Sequence, residues 1–238
     1  FIVQSLDDNF NVRRVERFMV QIMEENISSV LVLNKADLDF DRQSVEEQIK
    51  HISSQIPVFF TSIHQLETIV RLRKSISEGE TVVFVGSSGV GKSSLVNALC
   101  EKPVLLTSDI SLSTGKGRHT STRREMVLMD SSGVLIDTPG VREFGLAIDN
   151  PDSLAEVLEI SDYAELCRFK DCKHINEPGC AVIEAVNSGA LDSKVYASYL
   201  KLRREAWHFS ASEHEKRKKE KSFTKLVEEV KNRKDASR

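Results

Sequence analysis

The sequence predicts an α/β domain with a mainly parallel sheet, followed by a smaller helical domain that binds a metal. Short β-branched and aliphatic runs alternate with amphipathic helical patterns in the first 150 residues, as in parallel sheets with crossover helices. Polar and glycine-rich motifs follow several of these runs, at the strand ends where open α/β sheets bind ligands. Beyond this point strand patterns stop and three of the four cysteines cluster. We therefore expect one domain over residues 1–150 and a second over 151–238.

Apolar runs bounded by polar residues predict three strands in the first part of the sheet domain. They cover Phe1–Gln4, Val30–Leu33 and Pro57–Thr61. Apolar residues that recur every three or four positions predict helices between them, over Val12–Glu25 and Ser44–Ile52. This alternation is typical of consecutive βαβ units.

The same patterns continue to the end of this domain. An amphipathic helix is predicted over His64–Ser77, then a strand over Thr81–Val85 and a helix over Ser93–Leu99. Two further apolar runs, Glu125–Met129 and Gly133–Ile136, are spaced like the strands of a hairpin.

The segment after the strand Thr81–Val85 fits the phosphate-binding P-loop, G-x-x-x-x-G-K-[ST]. Its glycines let backbone N–H groups wrap a phosphate, and the helix that follows adds its positive end. We expect Lys92 to reach the β- and γ-phosphates, Ser93 to ligate Mg²⁺ and Ser94 to bind the α-phosphate. A glycine-rich turn before a helix is the alternative, which the order of strand, loop and helix disfavours. The predicted phosphate-binding residues are Gly86, Ser87, Ser88, Gly89, Val90, Gly91, Lys92, Ser93 and Ser94.

The sequence NKAD, which follows the strand Val30–Leu33, is typical of guanine recognition. A carboxylate at Asp37 accepts hydrogen bonds from N1–H and the 2-amino group of guanine, whereas adenine leaves it unpaired. Sites that bury such polar groups reject the wrong partner by ~10⁴–10⁵. Lys35 can lay its aliphatic stem over the base, and Asn34 can tie this loop to the P-loop. By itself the motif could be an ordinary turn after a strand. The predicted base-reading residues are Asn34, Lys35, Ala36 and Asp37.

The order of the two motifs is unusual, because NKAD precedes the P-loop. In an ordinary GTPase the phosphate loop comes first, so this order predicts a circularly permuted GTPase domain. Thr61 and Ser62, after the third strand, occupy the place of a weaker fifth GTPase motif whose backbone contacts the base.

The sequence DTPG matches the DxxG element of GTPases. Asp137 would hold Mg²⁺ through water, and the N–H of Gly140 would sense the γ-phosphate. The next residue is Val141, where many GTPases carry the Gln that orients the attacking water. Another group must then position this water.

The segment 114–122, rich in Gly, Thr and Arg, lies where switch I belongs. His119 is the candidate for positioning the catalytic water, since a His has a near-neutral pKa. A solvated or partner-contacting histidine is the alternative. Thr120 or Thr122 could supply the hydroxyl that senses Mg²⁺, and the sequence leaves both open.

The C-terminal domain contains the pattern Cys-x₄-Cys-x-His-x₅-Cys within fourteen residues. Three thiolates and one imidazole form the set of a closed, structural zinc site, because four protein ligands leave no open position. The alternative is a group of separate thiols. The predicted zinc ligands are Cys167, Cys172, His174 and Cys180.

The net charge of −3 conceals a basic C-terminal segment. Residues 213–238 contain ten Lys or Arg and six Asp or Glu, with the run Lys216-Arg217-Lys218-Lys219. Such a segment suits an anionic partner such as RNA, although a solvated helix of mixed charge is the alternative. Trp207 and Phe209, just upstream, are expected to pack the C-terminal helices against the zinc-binding part.

The overall composition, 40% hydrophobic and 29% charged residues, is that of a globular protein. No apolar run approaches the roughly 20 residues needed to cross a bilayer, and no charged-then-apolar leader opens the chain. We therefore expect a cytoplasmic protein with no membrane partner, and we also expect it to be monomeric.

Taken together, NKAD, the P-loop, the segment Gly117-Arg118-His119-Thr120, DTPG and the zinc pattern resemble the RsgA/YjeQ family of circularly permuted GTPases. The resemblance implies GTP/GDP, Mg²⁺ and one structural Zn²⁺ as cofactors. It implies slow GTP hydrolysis stimulated by the small ribosomal subunit, contacts with its rRNA and a role in its late maturation. Family members usually carry an N-terminal OB-fold, which we expect to be absent from this chain. An RNA-binding assembly placeholder, in which GTP gates docking and hydrolysis is incidental, is the alternative function.

Overall fold

The computed structural model describes residues 1–105, 124–130, 133–140 and 151–212, and the side chains of residues 151 and 152 are not included. Several sequence predictions concern residues outside these ranges. They are the switch segment with His119, Thr120 and Thr122, and the basic segment 213–238.

The described residues form six strands in two groups of three. Their bounds are β1 Ile2–Ser5, β2 Leu31–Asn34, β3 Val58–Thr61, β4 Thr81–Phe84, β5 Glu125–Leu128 and β6 Val134–Asp137. Each lies within one or two residues of its predicted position.

The two groups of strands meet along β1 and the end of β4. Ile2 forms a parallel bridge with Val85, and the N–H of Val3 donates to the Val85 carbonyl at 2.8 Å. The strand order is therefore β3-β2-β1-β4-β6-β5, with all pairs parallel except the antiparallel hairpin β5–β6. This confirms the predicted mainly parallel sheet and hairpin. It also places β2 and β4, which precede the two nucleotide motifs, on either side of β1.

Nine helices lie within the described ranges. They are α1 Val12–Glu24, α2 Arg42–Gln48, α3 Lys50–Ser53, α4 Leu66–Lys74, α5 Lys92–Leu99, α6 Pro151–Val157, α7 Ser161–Ala164, α8 Ala181–Ser188 and α9 Ser193–Ser210. No helix in this part of the chain is both long and apolar enough to cross a bilayer.

Two helices differ from their predicted bounds. The single helix expected over Ser44–Ile52 is two segments, and it begins earlier because the Asp41 carboxylate accepts a 3.0 Å hydrogen bond from the Ser44 N–H. The chain leaves the helical conformation briefly at Ile49. The helix expected over His64–Ser77 is shorter at both ends.

The hydrophobic core extends across the predicted domain boundary. One cluster contains Ile2 and Leu31 from the sheet, Val15 from α1, Leu158 next to α6 and Leu202 from α9. A second cluster lies between the sheet and helices α4 and α5. The C-terminal helices are thus packed on the sheet domain through α1.

Polar contacts reinforce this packing. Arg17 of α1 forms a 2.6 Å ion pair with Glu205 of α9. The buried Glu16 carboxylate accepts a hydrogen bond from the Ser198 hydroxyl of α9, and its other oxygen lies 2.9 Å from His51 Nε2 of α3. Because the carboxylate is buried, these partners offset part of its desolvation cost.

Candidate nucleotide site and metal centre

The two nucleotide motifs meet at Asn34, the last residue of β2. Its side chain is 3% exposed, and its Nδ2 donates to the backbone carbonyl of Val90 in the P-loop at 2.8 Å. The Thr61 hydroxyl donates to the Asn34 Oδ1 at 3.3 Å. The parallel sheet therefore brings together three predicted segments that are far apart in sequence.

This close approach requires a glycine at position 91. A Cβ atom there would lie 2.4 Å from Asn34 Nδ2, and the residue has a φ of +93°. A side chain here would collide with the Asn34 amide, and the left-handed backbone favours glycine.

The remaining NKAD residues lie on the solvent side of the contact between Asn34 and Val90. The N–H of Ala36 donates to the Thr61 carbonyl at 3.0 Å, which holds the loop beside β3. Asp37 is exposed, and a hydrogen bond from Ser62 holds the pKa of its carboxyl below the ordinary value. The carboxylate is therefore ionised at neutral pH and accessible to a base.

The P-loop wraps around the side chain of Lys92, which begins α5. This residue is 6% exposed, and its ammonium donates to the carbonyls of Gly86 at 3.0 Å and Ser87 at 2.9 Å. Burial lowers the pKa of Lys92, and the nearby charge of Asp137 opposes this effect. The lysine is thus held within the loop by backbone carbonyls.

Ser93 and Asp137 lie together at the other side of the candidate phosphate site. The Ser93 hydroxyl donates to Asp137 Oδ2 at 2.5 Å. Asp137 is 2% exposed, burial raises the pKa of its carboxyl, and its Oδ1 has no hydrogen-bond partner among the described residues. A buried carboxylate oxygen beside a hydroxyl fits Mg²⁺ with its water shell, since hard oxygen ligands are what this cation prefers.

DTPG lies directly against the P-loop. A Cβ atom on Gly140 would lie 2.4 Å from the Cα of Ser88, so only a glycine permits this approach. The Thr138 hydroxyl donates to the Phe84 carbonyl at 2.6 Å and fixes the start of the loop to β4. The backbone of Gly140 is consequently in direct contact with Ser88 of the predicted phosphate loop.

The site contains two side chains that the motif analysis missed, Asp7 and Arg14. Asp7 follows β1 and accepts from Lys35 Nζ at 2.8 Å. Arg14, in the first turn of α1, donates to the Ser87 hydroxyl at 3.1 Å. The position of Asp7 after the carboxyl end of β1 is the signal that could have found it, because every other motif in the site has that position.

The four predicted zinc ligands form one cluster, with all ligand atoms within 4.8 Å of one another. The Cys167 and Cys180 sulfurs are 3.8 Å apart, and each lies 3.5 Å from His174 Nδ1. A tetrahedron with Zn–S bonds of about 2.3 Å has edges of about 3.8 Å, so this spacing fits a tetrahedral zinc ion.

The surrounding residues fix the loop that carries His174. The Glu177 carboxylate accepts from the backbone N–H groups of Lys173, Ile175 and Asn176. The Tyr196 hydroxyl of α9 donates to the His174 carbonyl at 2.6 Å. These contacts order the ligand from outside the cluster.

The prediction that Phe209 packs against this part is wrong, since its side chain is 59% exposed. It lies near the end of α9, where that helix extends past the neighbouring core. Trp207 is half-buried and lines a groove beside the cysteine cluster.

Comparisons with known proteins agree with this architecture. A family model described as RsgA GTPase matches residues 1–147. A Bacteroides thetaiotaomicron protein named small ribosomal subunit biogenesis GTPase RsgA 1 is 82% identical over 234 residues, which cover 98% of this chain and 66% of that protein. The chain thus spans about two thirds of the length of this relative.

Two crystal structures share the fold. The structure of YjeQ from Thermotoga maritima has a TM-score of 0.65 and 28% identity, covering 89% of this chain and 71% of that one. The structure of YloQ, a circularly permuted GTPase, has a TM-score of 0.65 at 23% identity, covering 89% of this chain and 69% of that one, and supports the fold alone. The predicted permuted GTPase fold and the family resemblance are both confirmed. This chain belongs to the RsgA GTPase family.

Proposed function

We propose that this chain binds GTP and hydrolyses it to GDP and phosphate in a reaction stimulated by the small ribosomal subunit, and that it acts in late maturation of that subunit. The observation that carries this proposal is the junction of Asn34 with Val90. It places a guanine-type loop directly against a phosphate loop although their sequence order is inverted. The printed name of the Bacteroides relative, a small ribosomal subunit biogenesis GTPase, supports the choice of partner.

The base is read at the NKAD edge of the pocket. The ionised, exposed carboxylate of Asp37 accepts the N1–H and 2-amino protons of guanine, and the stem of Lys35 covers the ring. Thr61 and Ser62 support this loop from β3, through the Ala36 N–H and the Asp37 carboxylate. Adenine would leave the carboxylate without donors, which accounts for selectivity.

The phosphates lie at the start of α5, where free N–H groups and the helix dipole favour negative charge. Lys92 turns from the P-loop carbonyls to the β- and γ-phosphates, and Ser94 contacts the α-phosphate. Ser93 and Asp137 are the residues that would hold Mg²⁺, Asp137 through water. Mg²⁺ supplies charge neutralisation at the phosphate oxygens.

Hydrolysis needs a residue that orients water, and Val141 cannot do so. We assign this role to His119, with Thr120 or Thr122 sensing Mg²⁺. The His119→Ala variant should turn GTP over much more slowly while its affinity for GDP stays nearly unchanged. Equal turnover of this variant and the parent protein at saturating activator would remove His119 from the mechanism.

Cys167, Cys172, His174 and Cys180 would hold one structural Zn²⁺, as their spacing and thiol chemistry allow. The basic segment 213–238 would then contact rRNA phosphates, in a salt-sensitive manner. We further propose that the protein acts as a monomer in the cytoplasm and that residues 1–150 and 151–238 are its two domains.

The deciding experiment measures GTP turnover alone, with small subunits and with large subunits. We expect stimulation by small subunits only. Stimulation by large subunits only would contradict the proposal, and equal slow rates in all three would favour the placeholder function.

A further inference from the structure

We propose that a chain of hydrogen bonds through Asp7, Asn9 and Arg14, named here the β1–α1 relay, positions the base-reading Lys35 and the P-loop residue Ser87 relative to each other. The inference rests on the proposed binding of guanine nucleotides. None of the three relay residues belongs to a GTPase motif, and each acts through another residue.

The first arm of the relay fixes Lys35. Its backbone has a φ of +63°, and its ammonium donates to Asp7 Oδ2 at 2.8 Å. The side chains of this pair are 34% and 23% exposed. The charged head of Lys35 is therefore held by Asp7, which restricts the path of the aliphatic stem between the backbone and the ammonium.

Asp7 is well suited to this role because it stays charged. Burial raises the pKa of its carboxyl, but hydrogen bonds from Lys35, Ser5 and the Asn9 N–H outweigh this effect and lower the pKa to about 2. Its Oδ1 accepts from the Ser5 hydroxyl at 2.7 Å and from the Asn9 N–H at 3.0 Å. The carboxylate thus orders the turn while its second oxygen binds the lysine.

The second arm reaches the P-loop. Arg14 Nη1 donates to the Asn9 carbonyl at 3.2 Å and to the Ser87 hydroxyl at 3.1 Å. The same nitrogen lies 3.4 Å from Oε1 of Gln4, a fully buried residue of β1. The arginine is therefore anchored to the sheet and to the turn before it contacts the loop.

The relay closes a ring with the contact described above between NKAD and the P-loop. Asn34 joins Val90 directly, and the adjacent Lys35 joins Ser87 through Asp7, Asn9 and Arg14. A single contact permits one loop to rotate against the other, whereas two separated contacts oppose that rotation. The NKAD loop, which would contact the base, and the P-loop, which would contact the phosphates, then keep a fixed orientation relative to each other.

The ratio of GDP affinity to IDP affinity distinguishes the positioning of Lys35 from the reading of the base by Asp37. Lys35 covers the face of the purine, which guanine and hypoxanthine share. Asp37 also reads the 2-amino group, which hypoxanthine lacks. Loosening Lys35 should therefore weaken GDP and IDP by the same factor, while loss of Asp37 should change their ratio.

The test measures the affinity of the 238-residue chain for GDP and IDP by calorimetric titration. In the Asp7→Asn variant, one oxygen still accepts from Ser5 and Asn9, but an amide replaces the partner of Lys35. We expect roughly 2- to 5-fold weaker binding of both nucleotides, as for a partly exposed charge pair, with their ratio unchanged. The matched control is Asp8→Asn, at an exposed neighbouring position, which should bind like the parent protein.

A double-mutant cycle tests the connection between the arms. Asp7→Asn combined with Arg14→Gln should lose less affinity than the two single losses together, because both break one chain of contacts. Arg13→Gln is the control for the arginine. If Asp7→Asn folds poorly, the affinities for GDP and IDP are compared in Arg14→Gln instead.

The relay would be overturned if Asp7→Asn and Asp8→Asn bound the nucleotides with equal affinity. It would also be overturned if Asp7→Asn changed the ratio of GDP affinity to IDP affinity, or if the affinity losses of the double variant were strictly additive. A parent protein that binds neither nucleotide would instead contradict the proposed function. The two failures are therefore distinguishable.

Discussion

The side-chain amide of Asn34 donates to the Val90 carbonyl at 2.8 Å, between residues 56 positions apart. The bond holds because β2 and β4 end at the same edge of the sheet with β1 between them. The sheet thus brings the two loops together although their sequence order is inverted.

Replacing Asn34 by Ala should weaken both the fold and nucleotide binding. The Val90 carbonyl and the Thr61 hydroxyl would each lose a partner, which costs about 1–3 kcal/mol for a buried group. Urea unfolding and GDP titration would show the change. The exposed Asp39→Ala is the control, and equal values for the two variants would argue against the contact.

Asp37→Asn should exchange the preferred base. An amide offers a donor where the carboxylate accepted, so GDP affinity should fall and XDP affinity should rise, because xanthine carries an oxygen in place of the 2-amino group. Binding of both nucleotides to parent and variant is the measurement. Retained preference of the variant for GDP would contradict the assignment of Asp37.

The pH dependence of GDP binding follows from the same carboxyl. Ser62 lowers the pKa of Asp37 from 3.8, so the charged form is present above that value and is lost only as the pH falls through the lowered pKa. We expect the contribution of Asp37 to be constant from about pH 5 to about pH 9. A difference between parent and Asp37→Asn that declines already near pH 6 would not fit.

Ser93→Ala should remove most of the effect of Mg²⁺ on GTP binding. The variant loses the hydroxyl that lies 2.5 Å from Asp137 Oδ2. Titrations with Mg²⁺ and with EDTA should differ clearly for the parent protein and little for the variant. Ser53→Ala, at an exposed serine on α3, should behave like the parent.

Cys172→Ser should reduce the zinc content of the purified protein from one equivalent per chain. The thermal midpoint should also fall, because the binding free energy of a structural zinc contributes to folding. Cys100→Ser is the matched control, since Cys100 lies in the core of the sheet domain and should leave the zinc content unchanged. Parent protein without zinc would contradict the assignment.

Glu16→Ala should destabilise the packing between α1 and α9. Its carboxylate joins His51 and Ser198 in a buried position, and their loss of a partner should lower the free energy of unfolding by about 1–3 kcal/mol. Urea unfolding at constant pH measures this change. The exposed Glu25→Ala should have almost no effect, and similar losses in both variants would exclude a specific role for Glu16.

The sequence was sufficient to predict the strands, the inverted motif order and the residues of the cysteine cluster. These features depend on local patterns, such as the apolar run before Asn34 and the four ligands between Cys167 and Cys180. Each motif directly follows a predicted strand, and the carboxyl ends of parallel strands share one edge of a sheet. The meeting of these motifs could therefore be anticipated.

The contacts of α1 could not be predicted in this way. Glu16 shares the buried face of its helix with Val15 and Met19, and nothing local indicates that its partner is Ser198, 182 positions away. The same holds for Asp7 and Lys35, whose pairing depends on the alignment of β1 with β2.

The two arginine contacts of α1 have a mechanical consequence. Arg14 contacts the P-loop at Ser87 and Arg17 contacts α9 at Glu205, about 4.5 Å apart along the helix axis. A single turn of α1 therefore contacts both the P-loop and the C-terminal helix α9. The same helix that supports the P-loop thus also carries the attachment of the C-terminal helices, so a change at either end of this turn would be felt by one shared element.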